Sequence, residues 1–242
     1  MNGHALLAQT RIELILTLRR SESLLVTLAI PIGILVFFAK VNTISDLKDP
    51  VQFLVPGILA LAVMSTAMVS LGIATGYERH YGVLKRLGAT PLSRSGLLAA
   101  KTLNVLAIEL IQAAVITVTG IALGWRVTSG IIPALGLLLL GSIAFAGIGM
   151  LMAGTLRAEA NLALSNGLFL VLLFLGGMAY PLTKLPGALQ AVAKALPAAP
   201  LAETVRDVVE GGHAFPVGLF AVLVAWAAVT PILAARYFRW EE

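Results

Sequence analysis

Six apolar stretches dominate this chain, and each is close to the length needed to cross a membrane. They lie at 24–39, 53–74, 103–123, 131–152, 162–179 and 215–235. About 20 mostly apolar residues in a helix cross the hydrocarbon core of a bilayer. Only helices and closed barrels pair their backbone groups there, and these runs lack the alternation of barrel strands. The sequence therefore predicts an all-α integral membrane protein with six transmembrane helices.

The composition supports a membrane setting. Hydrophobic residues make up 59% of the 242 residues and charged residues only 12%, whereas a soluble domain is about a quarter charged. The net charge of +5 fits loops that face anionic lipid and does not indicate nucleic acid. The absence of cysteine excludes disulfides and thiolate metal sites. We expect a single transmembrane domain over residues 1–242.

The distribution of Lys and Arg predicts the orientation. If the N-terminus is cytoplasmic, the inside segments hold 11 of the 17 Lys and Arg residues and the outside segments hold 6. Positive residues accumulate in cytoplasmic loops. We therefore expect both termini in the cytoplasm.

Residues 5–20, before the first apolar stretch, have the pattern of an amphipathic helix. Leu14 and Leu18 fall on one side of that helix, and Gln9 and Glu13 fall on the other. Such a helix before a span is expected to lie along the membrane surface.

The external connection between the fifth and sixth stretches, 181–212, is long and mildly amphipathic. Pro186 can open a short helix that Pro197 closes, and residues 201–210 can form a second helix that ends at two glycines. Connections of this length often have a function. A solvated cap and a working exit element are both compatible with the pattern.

The connection between the second and third stretches, "GYERHYGVLKRLGATPLSR", is rich in charge. At helical spacing, Tyr77, Tyr81 and Leu84 share one face, while Lys85 and Arg86 share the other. The pattern predicts an amphipathic helix over 77–90 that ends near a glycine and a proline. The residues alone allow either docking of a partner or anchoring in the headgroups.

No catalytic constellation occurs in the sequence. His4, His80 and His213 all lie outside the apolar stretches, and no glycine-rich loop with a Gly-Lys-Ser/Thr ending is present. We therefore expect no enzyme activity, no bound cofactor and no metal on this chain.

Glu109 and Gln112, in "LNVLAIELIQAAVITVTG", are the polar residues that stand out within a span. A charge at mid-bilayer is costly and indicates a function by default. Three interpretations stay open for Glu109, namely the inner headgroup region, contact with a transported substrate, and proton coupling.

The fourth and fifth stretches are rich in small residues. Gly141, Gly147, Gly149 and Gly154 occur in the fourth, and Gly167 occurs in the fifth. Small residues let helices approach closely in lipid. Such contacts could lie within the chain or form a seam with a second copy.

Together these parts resemble the permease subunit of type 2 ABC exporters, in the daunorubicin-resistance-like drug-efflux branch. The resemblance covers nearly the whole chain, and the run "FLVPGILALAVMSTAM" and Lys101 also look like that family. The position of His80 often holds Glu or Arg in the family, which is a minor departure. The most specific element is the pattern Glu-Arg-x-x-Gly-x-Leu-Lys-Arg-Leu-x-x-x-Pro-Leu, met here by Glu78, Arg79, Gly82, Leu84, Lys85, Arg86, Leu87, Pro91 and Leu92.

The resemblance implies that 77–90 is a coupling helix that docks on a separate ATP-binding subunit. Carried over to this sequence, it implies that Gly82 permits close approach and that Pro91 ends the helix. The residues that it implies contact the ATPase are Glu78, Arg79, Lys85 and Arg86.

The same resemblance implies the assembly and the location. Two copies of the ATPase would bind ATP and Mg²⁺ and pair with two permeases, the second identical or homologous. The external helices over 181–212 would help to close the exit. The chain would then export a drug, antibiotic or lipid across a prokaryotic plasma membrane.

Two other functions remain compatible with the residues. One is a proton-coupled secondary carrier that uses Glu109. The other is a membrane scaffold that transports nothing.

Overall fold

The computed structural model describes residues 9–15, 21–41, 49–88, 94–126, 130–211 and 214–240. Every regular element within these ranges is helical, which confirms the all-α prediction. A short 3-10 helix, Leu182–Lys184, precedes α8. The helices are α1 (residues 9–15), α2 (Ser21–Val41), α3 (Pro50–His80), α4 (Val83–Gly88), α5 (Arg94–Ala122), α6 (Ile131–Thr155), α7 (Ala158–Leu175), α8 (Gly187–Ala195), α9 (Ala198–Glu210) and α10 (Val217–Tyr237).

Among the described residues, five helices are long and apolar enough to cross a membrane. They are α3, α5 over Ala99–Ala122, α6, α7 and α10. The chain is therefore a multi-pass membrane protein. Helix α2 contributes a shorter apolar part, Leu28–Lys40, so a sixth span there stays a prediction, as does the cytoplasmic location of both termini.

Helix α3 is the central helix of the bundle. In its most apolar window 83% of the residues are buried, against 22% in α7 and in α10. It packs against α2, α5, α6, α7 and α9, which explains why its sequence is apolar on all sides. Its middle part, Met64–Ser70, is π-helical. Such interruptions of an α-helix are frequent at functional sites.

The small residues of α6 serve contacts within the chain. A Cβ atom added at Gly72 of α3 would lie 3.1 Å from the Cα atom of Gly149. A Cβ atom at Gly147 would lie 2.3 Å from the Thr230 hydroxyl of α10. The α6 glycines therefore let three helices approach closely, which supports internal packing. Gly167 of α7, by contrast, faces open space.

The connection between α7 and α10 folds back onto the bundle. Pro186 caps α8, as the sequence predicts, and α9 begins at Ala198, three residues earlier than 201. Helix α9 packs against α3, α6, α7 and α10, and most of its residues are buried. Helix α9 thus covers apolar surface of the core, while α8 stays largely exposed, and the choice between a cap and an exit element stays a prediction.

Helix α1 covers the middle of the predicted interfacial helix. Residues 9–15 are helical, and the Gln9 side chain donates a hydrogen bond to Glu13 at 3.1 Å. The predicted flanks, 5–8 and 16–20, lie outside the described residues.

Candidate functional site: the α3–α5 connection and the polar pairs of α5

The segment predicted as one helix over 77–90 consists of two helices joined by a turn. Helix α3 continues to His80, and Tyr81 and Gly82 then form the turn before α4. Gly82 has a φ of +68°, a left-handed conformation that glycine adopts without steric cost. A Cβ atom there would meet nothing within 4 Å in this chain, so the implied close approach to a partner stays a prediction. The single-helix prediction is therefore wrong.

Helix α4 presents a basic surface and buries one leucine. Leu84 is 2% exposed, whereas Lys85 and Arg86 are exposed. The structure thus separates the apolar and charged positions of α4 as their spacing indicates. The side chain of Leu87 and all of Pro91 lie outside the described residues.

Arg79 faces the inside of the bundle, contrary to the prediction that it lies on the exposed face. It is 5% exposed, and its Nη2 atom donates a hydrogen bond to the Leu156 carbonyl at 2.5 Å. Leu156 follows the last residue of α6, where carbonyl groups lack helical partners. Because α3 continues as regular helix through Arg79, the guanidinium reaches that helix end.

Glu78 also makes an internal contact. Its Oε2 atom lies 2.6 Å from the Nζ atom of Lys101, which is 4% exposed. This is an ion pair by distance, although its angles fall outside hydrogen-bond alignment. The same Nζ atom lies 3.3 Å from Glu13 Oε1. Lys101 therefore joins α1, α3 and α5 beside the connection.

Two polar pairs join α5 to its neighbours deeper in the bundle. The Thr66 hydroxyl, in the π-helical part of α3, donates to the Gln112 Oε1 atom at 2.9 Å. The Ser142 hydroxyl of α6 donates to Glu109 Oε2. Glu109 and Gln112, which the sequence singles out, thus line the same region between α3, α5 and α6. Glu109 lies near the middle of the apolar part of α5, and the choice between the inner headgroup region, substrate contact and proton coupling stays a prediction.

Arg206 is a buried cation that the sequence analysis missed. Its side chain donates to the carbonyls of Phe53 at 3.3 Å and Gly177 at 2.9 Å, and it pairs with Glu203 at 2.5 Å. Its guanidinium carbon lies 3.8 Å from the centre of the Phe53 ring. Burial lowers the pKa of Arg206, and the carboxylate of Glu203 opposes that shift. Arg206 thus fastens α9 to the start of α3.

Asn161 is a second buried group that the sequence analysis missed. Its Nδ2 atom donates to the Gly72 carbonyl at 2.9 Å, and its Oδ1 atom accepts from the Ser165 hydroxyl at 3.3 Å. It immediately precedes the fifth apolar stretch, 162–179, and other polar residues lie close by, so no sequence signal distinguished it. Asn161 thus links α7 to the part of α3 that follows its π-helical turn.

The fold and the site define a class of protein. A multi-pass helical bundle has a central helix that leads into a basic, exposed connection, and a lysine-centred ion cluster stands beside it. Such an architecture is that of a multi-pass membrane protein. The family can then be named, since the model of the ABC-2 type transporter family matches residues 4–209. The chain belongs to that family.

Individual relatives agree with this assignment. The Bacillus subtilis protein YvfS, named as a transport permease, is 27% identical over 245 residues, covering 97% of this chain and 96% of that protein. Nodulation protein J of Rhizobium meliloti is 26% identical over 218 residues, covering 80% of this chain and 83% of that protein. The resemblance to type 2 ABC permeases is therefore confirmed, and this chain is a membrane transport permease. Its place in the drug-efflux branch stays a prediction.

Proposed function

We propose that this chain is the permease subunit of an ATP-driven exporter that moves a lipophilic or amphipathic compound out of the cytoplasm or the inner leaflet. The cargo would be a drug, an antibiotic or a lipid. The observation that carries the proposal is the pair of exposed cations on α4, Lys85 and Arg86, at the end of the central helix. A separate ATPase subunit would bind that surface.

The structure offers a mechanical route from α4 to the spans. Gly82 joins α4 directly to α3, and Leu84 is buried, which keeps α4 close to the bundle. A displacement of α4 would act on α3, which packs against five other helices. The ion cluster of Lys101 would pass the same displacement to α1 and α5.

The structure separates the implied contact residues into two groups. Lys85 and Arg86 are exposed and can meet acidic groups on an ATPase, where charges select the partner and its register. Glu78 and Arg79 make contacts inside the permease and would position the connection. Both groups would matter for transport, but only the first would contact the partner.

The proposal extends to the assembly. Two ATPase subunits would bind ATP and Mg²⁺, and a second permease, identical or homologous, would complete the translocation path. The connection must then face the cytoplasm, so both termini would be cytoplasmic in a prokaryotic plasma membrane. The excess of Lys and Arg in the inside segments supports that orientation.

Charge reversal on α4 tests the proposal. We expect the double variant Lys85→Glu/Arg86→Glu to lose co-purification with the ATPase and ATP-dependent export in vesicles. The matched control is Arg157→Glu/Arg239→Glu, which changes the net charge equally at two exposed positions elsewhere. Undiminished ATPase binding and export in the α4 variant would remove the coupling assignment.

A proton-coupled carrier is the second candidate, and Glu109 is the observation that favours it. The residue is 9% exposed and lies within a candidate span. That candidate predicts transport without any ATPase and loss of transport in Glu109→Gln. A scaffold predicts no ATP-dependent movement of any substrate. Vesicles prepared with and without the ATPase subunit separate the three outcomes.

A further inference from the structure

A cavity of about 250 Å³ lies between α3, α5 and α6, within the membrane-spanning part of the bundle. Its wall is almost entirely apolar, apart from Glu109 and Gln112. Leu110, Leu135 and Leu139 on its rim are exposed, so the cavity is open on the side of the bundle that α5 and α6 form. Apolar contacts come chiefly from Leu59, Leu106, Leu110, Leu135, Leu138 and Leu139.

Glu109 has an acceptor atom that no residue in the described part of the chain uses. Oε2 accepts a hydrogen bond from Ser142, while Oε1 is buried and has no donor among the described residues. The side chain as a whole is 9% exposed. An unpaired buried acceptor costs free energy, and an unpaired buried carboxylate costs more.

No Lys or Arg lies among the residues that line this cavity. Glu109 can therefore be stabilised either by a proton, as a neutral carboxyl group, or by a positive group that a ligand brings. Buried charges in proteins are paired or bound to metal, and leucine side chains on the wall suit an alkyl or aromatic body.

We propose that this cavity binds a lipophilic amine, with the ammonium group paired with the Glu109 carboxylate and the apolar body against the leucines. The inference rests on the proposed export function, since it names the substrate class that the permease would admit from the membrane. It assigns Glu109 the role of recognising charge. Gln112 then borders the site while its Oε1 atom accepts from Thr66.

Binding to the full-length permease in phosphatidylcholine nanodiscs tests this site without the ATPase. The probes are a fluorescent alkylamine and its N-acetylated analogue, which keeps the fluorophore and chain but lacks the charge. Empty nanodiscs correct for partition into lipid. We expect the wild type to bind the amine about tenfold more tightly than the analogue, because a charge-assisted hydrogen bond distinguishes them.

Three variants localise the effect. Glu109→Gln should make the affinities for the amine and for its N-acetylated analogue equal. Glu159→Gln, which removes an exposed carboxyl group on α7, should leave the tenfold preference for the amine unchanged. Ala113→Leu narrows the cavity and keeps Glu109, so it should weaken binding of both probes alike. If Glu109→Gln does not fold, the Ala113→Leu result still decides whether the cavity is the site.

Equal affinity for the two probes in the wild type would overturn the proposal. So would a preference that survives Glu109→Gln, or full binding in Ala113→Leu. Adding phosphatidylethanolamine identifies the source of the amine, since competition indicates a lipid headgroup and its absence indicates a free amphiphile. Both of those outcomes support amine recognition.

The outcome is separable from that of the export function. Failure of Lys85→Glu/Arg86→Glu to uncouple the ATPase would remove the proposed function and leave the amine site standing. Failure of the binding test would remove the amine site and leave the coupling surface standing.

Discussion

Lys101, which is buried, and Glu78, which is partly exposed, form an ion pair between α5 and the last turn of α3, with 2.6 Å between Nζ and Oε2. Glu13 of α1 approaches the same Nζ atom. One ammonium group therefore holds three helices together where the central helix leaves the bundle. Loss of that group leaves two carboxylates without their counter-charge, which costs more than loss of an exposed pair.

Lys101→Met should lower the free energy of unfolding by about 2 kcal/mol, a value reduced from that of a fully buried pair because Glu78 is partly exposed. Thermal unfolding of the purified permease measures the change. The double variant Lys101→Met/Glu78→Gln should recover part of it, since one orphaned carboxylate is removed. A loss no larger than that of Lys194→Met, at an exposed lysine, would contradict the importance of the cluster.

Arg79→Met should destabilise the permease by about 2 kcal/mol, because the Leu156 carbonyl loses its charged donor. Arg79→Lys should recover part of this loss, since lysine keeps the positive charge but lacks the several N–H donors of the planar guanidinium group. Co-purification with the ATPase should persist in both variants under conditions where they remain folded. Loss of ATPase binding in a stable Arg79→Lys protein would place Arg79 in the partner contact after all.

Gly82→Ala should cost about 1 kcal/mol of stability and reduce coupled transport, because an L side chain is strained at a φ of +68°. Gly82→Asn should be milder, since asparagine tolerates this conformation better. The comparison variant is Gly136→Ala, within α6, where a Cβ atom also meets nothing within 4 Å. Equal unfolding curves for Gly82→Ala and Gly136→Ala would show that the left-handed turn is dispensable.

Arg206→Met should release α9 from the start of α3. The expected cost is about 3 kcal/mol, because the variant leaves two carbonyls and Glu203 without their donor. In the variant, amide hydrogen exchange of α9 should become faster than in the wild type, while exchange of α6 should change less. The exposed Arg126→Met serves as the control, and unchanged exchange in α9 would contradict the anchoring role.

The sequence predicts the elements well because hydropathy and spacing are local signals. Apolar runs mark the spans, and Pro186 marks the start of α8. The exposed pair Lys85 and Arg86 also follows from helical spacing alone. These features depend on neighbours within a few residues along the chain.

The features that the sequence does not predict depend on distant partners. Arg79 bonds to a carbonyl 77 residues away, and Arg206 bonds to one 153 residues away. Sequence periodicity does not predict contacts between such distant residues. Both arginines therefore look like surface charges when only the sequence is considered. The break at Gly82 is missed for a related reason, since an isolated glycine fits a continuous helix until its φ is known.

The π-helical stretch Met64–Ser70 gives α3 two different angular phases. Successive residues of an α-helix are rotated by about 100° around the helix axis. One extra residue in a wider turn therefore rotates all the side chains that follow it by about that angle. The half before the insertion packs against α2, α5, α6 and α9, and the half after it packs against α6 and α7. A change in the width of that turn would therefore rotate the α4 end relative to the first half of α3, about the axis of that helix.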